Sequence, residues 1–293
     1  MTKKKTMRIG LISDTHMPER WAALPTALFH LFQEVDLLLH AGDVGQLWVL
    51  DQLSTIAPIV AVHGNDETQE AQRELPYQQI ITVAGQRILL WHSHFEDRVD
   101  ELNDRRVEWP LRRKLERMVN RAQRAGATMC VFGHWHIPLM CEQDGVIVIN
   151  PGAIASGNPF TRQLVQTVAL LEINGNGRPH LSHFNLAEPE QPYQPPTNLD
   201  AGFDLNIPFF NQTILAPDLA HLPQTQLWEI INFEWRQILP AVLRVAHRCW
   251  SGEQSFFTRA DLIEEIQQDP AILAPIKVKA IEAINQLPKE SLI

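Results

Sequence analysis

Five short polar clusters carry the side chains able to do chemistry: Asp14-Thr15-His16, Gly42-Asp43, Gly64-Asn65-Asp66, His92-Ser93-His94 and Gly133-His134-Trp135-His136. They supply carboxylate, imidazole and amide donors. In extended backbone alternate side chains point the same way, so Asp14 with His16, and each His-x-His pair, could clasp a cation from one side. A mixed oxygen and nitrogen donor set suits manganese, iron, zinc, cobalt or nickel better than calcium, which prefers oxygen alone. The glycines before Asp43, Asn65 and His134 permit positive φ or a close backbone approach, which lets the next side chain turn inward at a tight strand exit. Each cluster alone would more often be a cap or a turn. Together, from Asp14 through Asp43, Asn65 and His92 to His134 at separations of 29, 22, 27 and 42 residues, they point to a metal site.

The elements that must position these clusters are short apolar runs. Residues 8–12, 36–40, 58–62, 87–91 and 128–132 read as strands, each closed by polar residues. Helix-compatible stretches at 21–33, 45–55 and 110–125 alternate with them, which is the pattern of an α/β fold. Runs at 145–149 and 163–173 have turn-rich separators and are expected to be antiparallel strands. Ligands of open α/β sheets bind beyond the carboxyl ends of the strands, and the polar clusters belong there.

The chain of 293 residues is long enough for one large domain or two ordinary ones. A hydrophobic share of 45% and a charged share of 20% exclude disorder as the main state. The apolar runs are strand-sized, far short of the roughly 20 residues that span a bilayer. Twenty-five basic against 34 acidic side chains give a net charge of −9, which disfavours strong non-specific nucleic-acid binding. Cys130, Cys141 and Cys249 are too scattered for a disulfide framework and agree with a reducing, cytoplasmic compartment. A first domain is expected over 7–186, a proline-rich linker over 187–202 and a helical extension over 203–293. In the extension, 218–249 and 258–286 are helix-like, with Thr258 and Asp261 as a capping pair and prolines 240, 270 and 275 interrupting. Trp228, Trp235 and Trp250 there would pack as a small helical core, or face a partner or a membrane surface.

The clusters resemble the calcineurin-like metallophosphoesterase superfamily, specifically its small bacterial and archaeal phosphodiesterase branch. That pattern is Asp-x-His, Gly-Asp, Gly-Asn, a histidine after a strand, and Gly-His-x-His. Asn150-Pro151-Gly152-Ala153 resembles the Asn-Pro-Gly-Ser segment of the same branch. The resemblance covers residues 7 to about 185 and leaves the tail aside. It implies a four-layer αββα sandwich with two divalent transition ions, manganese first among them. Carried over, Asp14, His16 and His136 would bind one metal, Asn65, His92 and His134 the other, and Asp43 would bridge them. A hydroxide shared by the two ions would then cleave a small phosphodiester or phosphomonoester.

One departure from the pattern matters. Many members carry a histidine directly after the asparagine, where it protonates the leaving alkoxide, but here that place is Asp66. His94, two residues beyond His92, is the expected replacement donor; the other reading makes it an orienting neighbour of a ligand. Ser93 stands where the branch often has glycine. Arg162, in a loop resembling the one after the family's Asn-Pro-Gly turn, is expected to reach the substrate phosphate or to be solvated. Two other functions stand open at this point: a scaffold working through the tail, like the eukaryotic retromer subunit of this fold, and a DNA exonuclease of the same superfamily. The tail would then be the surface for a homo-oligomer or a protein partner. The acidic balance weighs against the exonuclease, despite Arg105-Arg106 and Arg112-Arg113-Lys114.

Overall fold

Alternation along the central strands builds the layers. In the computed structural model, which describes residues 6–174, 179–222 and 235–288, Ile9 and Leu11 of β1 (Met7–Ile12) join Leu39 of β2 (Leu37–His40) in one core. Ile12 and Leu38, facing the other way, join a second. In β5 (Gln86–Trp91) and β6 (Met129–Phe132), Ile88, Leu90, Met129 and Val131 enter the core shared with Ile9. Leu89, Trp91, Cys130 and Phe132 enter a third. Two sheets therefore face each other across one apolar layer, and each has helices on its outer side.

The first sheet has the order β11-β10-β1-β2-β3, with β3 (Ile59–Ala61), β10 (Thr167–Ile173) and β11 (His180–Asn185). Its β1, β2 and β3 are parallel, and β10 runs antiparallel to both neighbours. The second has the order β4-β5-β6-β8-β7, with β4 (Gln78–Val83), β7 (Leu139–Gln143) and β8 (Val146–Asn150). As expected, β8 is antiparallel to β7, across a hairpin whose Asp144 and Gly145 have φ of 50° and 76°. On its other side β8 pairs parallel with β6. Helices α1 (Thr26–Leu31) and α2 (Trp48–Ser54) cover the first sheet through Leu28, Val49 and Leu53. Helix α5 (Leu111–Arg124) covers the second through Leu111, Leu115, Met118, Val119 and Ala122, a stripe of helical period. The shorter α3 (Gln69–Glu74) and α4 (Arg98–Arg106) follow β3 and β5. The four-layer sandwich is thus observed.

The chain divides into two compact units, Met1–Gly157 with Gln163–Asn211, and Asn158–Arg162 with Gln212–Ile293. The expected linker at 187–202 belongs to the first unit, and the division falls at Asn211 instead. Proline fixes extended backbone, but extended backbone can still dock: Tyr193 N donates to His183 O (2.7 Å), and Leu111 and Arg112 N donate to Ala201 O and Leu199 O (2.8 and 2.9 Å). The buried Asn206, at the end of α6 (Phe203–Asn206), donates to Asn198 O and Gly202 O. The chain passes between the units within β9 (Thr161–Gln163) and β12 (Asn211–Thr213).

The second unit contains α7 (Pro217–Ala220), α8 (Trp235–Trp250), α9 (Arg259–Gln268) and α10 (Ala274–Gln286). Thr258 caps α9 by accepting the Asp261 N–H at 3.1 Å, as expected. Of the three prolines, Pro240 lies inside a helix that continues past it, Pro270 follows the end of α9, and Pro275 sits in the first turn of α10, where no N–H is needed. Val245, Cys249, Trp250, Leu262, Ile266, Ile276 and Ile284 form the core of this unit, together with Phe160 from the mid-chain segment. Trp228 and residues 223–234 of the helix-like stretch expected over 218–249 lie outside the described residues. No described helix is long and apolar enough to cross a membrane.

Candidate metal centre

Each polar cluster lies just past the carboxyl end of β1, β2, β3, β5 or β6. Their side chains gather into two groups, Asp14 with His16 and His136, and Asp43 with His92 and His134; within each group the donor atoms lie within 4.8 Å of one another. The backbone there is not extended. Asp14, His16, Asp43, His134 and His136 have φ of 55°, 45°, 53°, 72° and 56°, so five of the six donors are left-handed. Such a conformation costs an L-residue on the order of 1–3 kcal/mol and clusters where a side chain must be aimed. The left-handed turns separate residues that a strand would have kept on one side. His134 and His136 enter different groups, and His94 enters neither. A Cβ on Gly64 would overlap the Asp43 carboxylate, and one on Gly133 would lie 2.6 Å from Ala41 O, so both positions require a close backbone approach.

Asp43 stands at the centre: its Oδ2 is 3.2 Å from His92 Nε2 and 3.5 Å from His16 Nε2, and its Oδ1 accepts the Asp66 N–H at 2.8 Å. Asp14 Oδ1 is 3.2 Å from His136 Nε2, and Asp14 Oδ2 accepts the His134 N–H at 3.0 Å. Burial opposes the ionised carboxylates, yet the imidazoles beside them hold both below the usual range, His136 at Asp14 and His92 with His16 at Asp43. Burial alone would lower His92, but Asp43 and Asp14 push it up to about 9. Its Nδ1 faces Ala41 O at 2.7 Å and donates there, which leaves Nε2 as the inward nitrogen. Buried His136 Nδ1 has no hydrogen-bond partner among the described residues, and the inward His92 Nε2 faces the Asp43 carboxylate. Two buried carboxylates, four imidazoles and such an orphaned nitrogen fit divalent transition ions.

Asn65 is exposed on the loop between Gly64 and Asp66. His94 is buried, with its ring 5.5 Å from that of His92 and 5.1 Å from that of Tyr77; burial and the neighbouring His92 and His134 push it down to about 3. Arg162 is exposed and belongs to the second unit, whereas both donor groups belong to the first. Within the first unit the arginine beside the donors is Arg20, unnoticed in the sequence because Glu19-Arg20 looks like any solvated pair. Its guanidinium is buried, lies 3.5 Å from His16 Nε2, donates to Ser156 O (3.2 Å) and Gly157 O (2.8 Å), and forms an ion pair with Asp66.

Further residues brace the loops. Glu67 accepts N–H bonds from Val44, Gly45 and Gly64 at 2.8 to 3.2 Å, while burial and the Asp43 charge outweigh those donors and push its carboxyl up to about 7. Arg117 donates to Ser93 O and to His94 O, fixing the loop after β5. Asn150 donates to Gly133 O at 3.0 Å and accepts from Gly152 N at 2.8 Å, and Ser13 Oγ donates to Gly152 O. The Asn-Pro-Gly segment is therefore a brace between the loops bearing Asp14 and His134. His40 and His63 act as packing groups, His40 against Thr15 Oγ1 (3.1 Å) and His63 against Gly64 O (2.9 Å).

Residues 7–176 match the calcineurin-like phosphoesterase superfamily domain. The chain is 33% identical over 170 residues to a probable metallophosphoesterase of Methanothermobacter thermautotrophicus, spanning 58% of this chain and 87% of that one. A probable metallophosphoesterase of Methanocaldococcus jannaschii is 34% identical over 149 residues, 50% of this chain and 68% of that one. Among solved structures, a novel archaeal phosphodiesterase aligns with a TM-score of 0.42 at 19% identity, over 60% of this chain and 98% of that one.

Proposed function

Since the chain belongs to the calcineurin-like phosphoesterase superfamily, we propose that it is a metal-dependent hydrolase of a small phosphodiester or phosphomonoester. The observation that carries this reading is the pair of adjoining donor groups, five of whose six residues are buried, with Asp43 facing histidines of both. Asp14, His16 and His136 would hold one divalent ion, Asn65, His92 and His134 the other, and Asp43 both; manganese is the ion proposed. When bound, such ions supply Lewis-acid activation of water and neutralise phosphoryl oxygens.

The protein's own groups then orient and select. Ala41 O fixes the His92 ring, and Asp14 holds the His134 backbone. The Arg20 guanidinium beside His16 adds a permanent positive charge at the edge of the first donor group. Asp66 is paired with Arg20, and in the metal-free protein burial beside His92 and His134 pushes the His94 imidazole down to about 3, which weighs against a charged donor there. The site therefore favours leaving groups acidic enough to depart without a strong proton donor.

The test is hydrolysis of bis-p-nitrophenyl phosphate and p-nitrophenyl phosphate by metal-stripped protein refilled with manganese, beside Asp43→Asn. Diester turnover that the variant lacks supports the reading. If the wild type turns over neither ester while holding two metals per chain, the reading is wrong.

A further inference from the structure

We propose that Glu101 is a positioning residue for the second donor group, acting through His134. The inference rests on the metal-dependent reading above. Glu101 is 8% exposed; its Oε1 lies 2.8 Å from His134 Nε2, and its Oε2 accepts the Phe95 N–H at 3.0 Å. An ionised carboxylate can only accept, so Nε2 carries the hydrogen and Nδ1 becomes the lone-pair nitrogen for the group with Asp43 and His92. Glu101 is not itself a member of that group, so it acts through the imidazole and not on an ion.

The helix that carries the carboxylate is anchored at both ends. Asp97 caps α4 by accepting the Val99 N–H at 2.6 Å, and Lys114 of α5 donates to Asp104 O (2.7 Å) and Oδ2 (3.0 Å). Through Phe95 the same carboxylate also grips the loop that leaves β5, three residues beyond His92. One side chain thereby sets the histidines from β5 and β6 against each other, their rings 5.1 Å apart. The Gly-His-x-His motif does not itself call for an acid here; α4 supplies it.

The experiment titrates the metal-free full chain, as wild type, Glu101→Ala and Glu101→Gln, with Co²⁺, followed by visible absorption and calorimetry. Wild type is expected to bind two equivalents. Glu101→Ala is expected to weaken one of them about 10- to 100-fold and to leave the other within about threefold. Glu101→Gln, whose amide oxygen can accept the same hydrogen, is expected to recover part of that loss. Nitrogen-15 histidine spectra of the zinc-loaded wild type read the tautomer without any variant, and the hydrogen of His134 is expected on Nε2 with zinc on Nδ1. If wild type binds no metal, the metal-dependent reading falls and takes this inference with it. Two tight equivalents in Glu101→Ala, or zinc on His134 Nε2, would overturn this inference alone.

Discussion

Arg20 and Asp66 form an ion pair beside His16, at the position where the superfamily often carries a histidine. Arg20 is 6% exposed and the Asp66 side chain 43%, so solvent screens one partner only. Removing the carboxylate leaves a buried guanidinium with two carbonyls and only the more distant Glu19 carboxylate, 4.0 Å from its Nε, with the charges of Asp43 and Asp14 beyond. Asp66→Ala is expected to cost about 1–2 kcal/mol in urea unfolding of the metal-loaded protein. Because the two act as a unit, Asp66→Ala with Arg20→Met should cost less than the two single losses added together. Strict additivity would show that the pair is not coupled.

Asp43 faces both donor groups, so no other single change should be as damaging to both. Asp43→Asn keeps the shape, replaces an anionic oxygen that faces His16 and His92, and is expected to bring metal content below one ion per chain by elemental analysis. Any metal-dependent turnover should fall at least about a hundredfold. His92→Ala should empty the second group and spare the first.

The electrostatics of the metal-free protein set the sign of its pH dependence. His92 stands at about 9 against an ordinary 6.5, so its protonation stabilises the fold fully below about pH 6.5, and that contribution is lost as pH rises through 9. Glu67, raised from 4.5 to about 7, likewise contributes less as pH rises from 4.5 to 7. Asp14 and Asp43 act oppositely: lowered in the fold, they stabilise above about pH 3.8 and lose that contribution as pH falls. Urea midpoints of the metal-free chain should therefore decline between pH 6.5 and 9. A cation must displace the His92 proton, so metal affinity should rise over the same interval with measurable proton release.

Ser93 has φ of 80°, and its buried hydroxyl has no hydrogen-bond partner among the described residues. Glycine relieves the left-handed strain and removes an unsatisfied group, at the expense of some unfolded-state entropy. Ser93→Gly is expected to gain up to about 1 kcal/mol, seen as a rise of about 2–4 °C in the melting temperature. A fall in melting temperature would mean that the unfolded-state entropy of glycine, or a partner of the hydroxyl in solution, outweighs the strain relieved.

The six side chains that gather into the two donor groups all lie in clusters that residue type and spacing at strand ends mark, while Asn65 of the same pattern stands exposed on its loop. What surrounds the six was not legible. Arg20 and Glu101 matter only because loops distant in sequence converge, Glu101 lying 33 residues before His134. The glycines announced tight exits, but nothing in the residue types says that Asp14, His16, Asp43, His134 and His136 would themselves be left-handed. The strands and α5 followed from periodicity. The unit boundary did not, since the prolines of 187–202 reveal extended backbone and not what it rests on, which the bond from Tyr193 N to His183 O decides.

Phe160 is 1% exposed within a core otherwise built from residues 214–287. Chain synthesis reaches it more than fifty residues before the first of those partners, so on the ribosome this aromatic must wait, uncovered, until residues 214–287 have been made. A recombination event that appended or removed residues 212–293 at a single joint would have to supply or strand it. The second unit is thus discontinuous along the chain, and no single joint carries it whole.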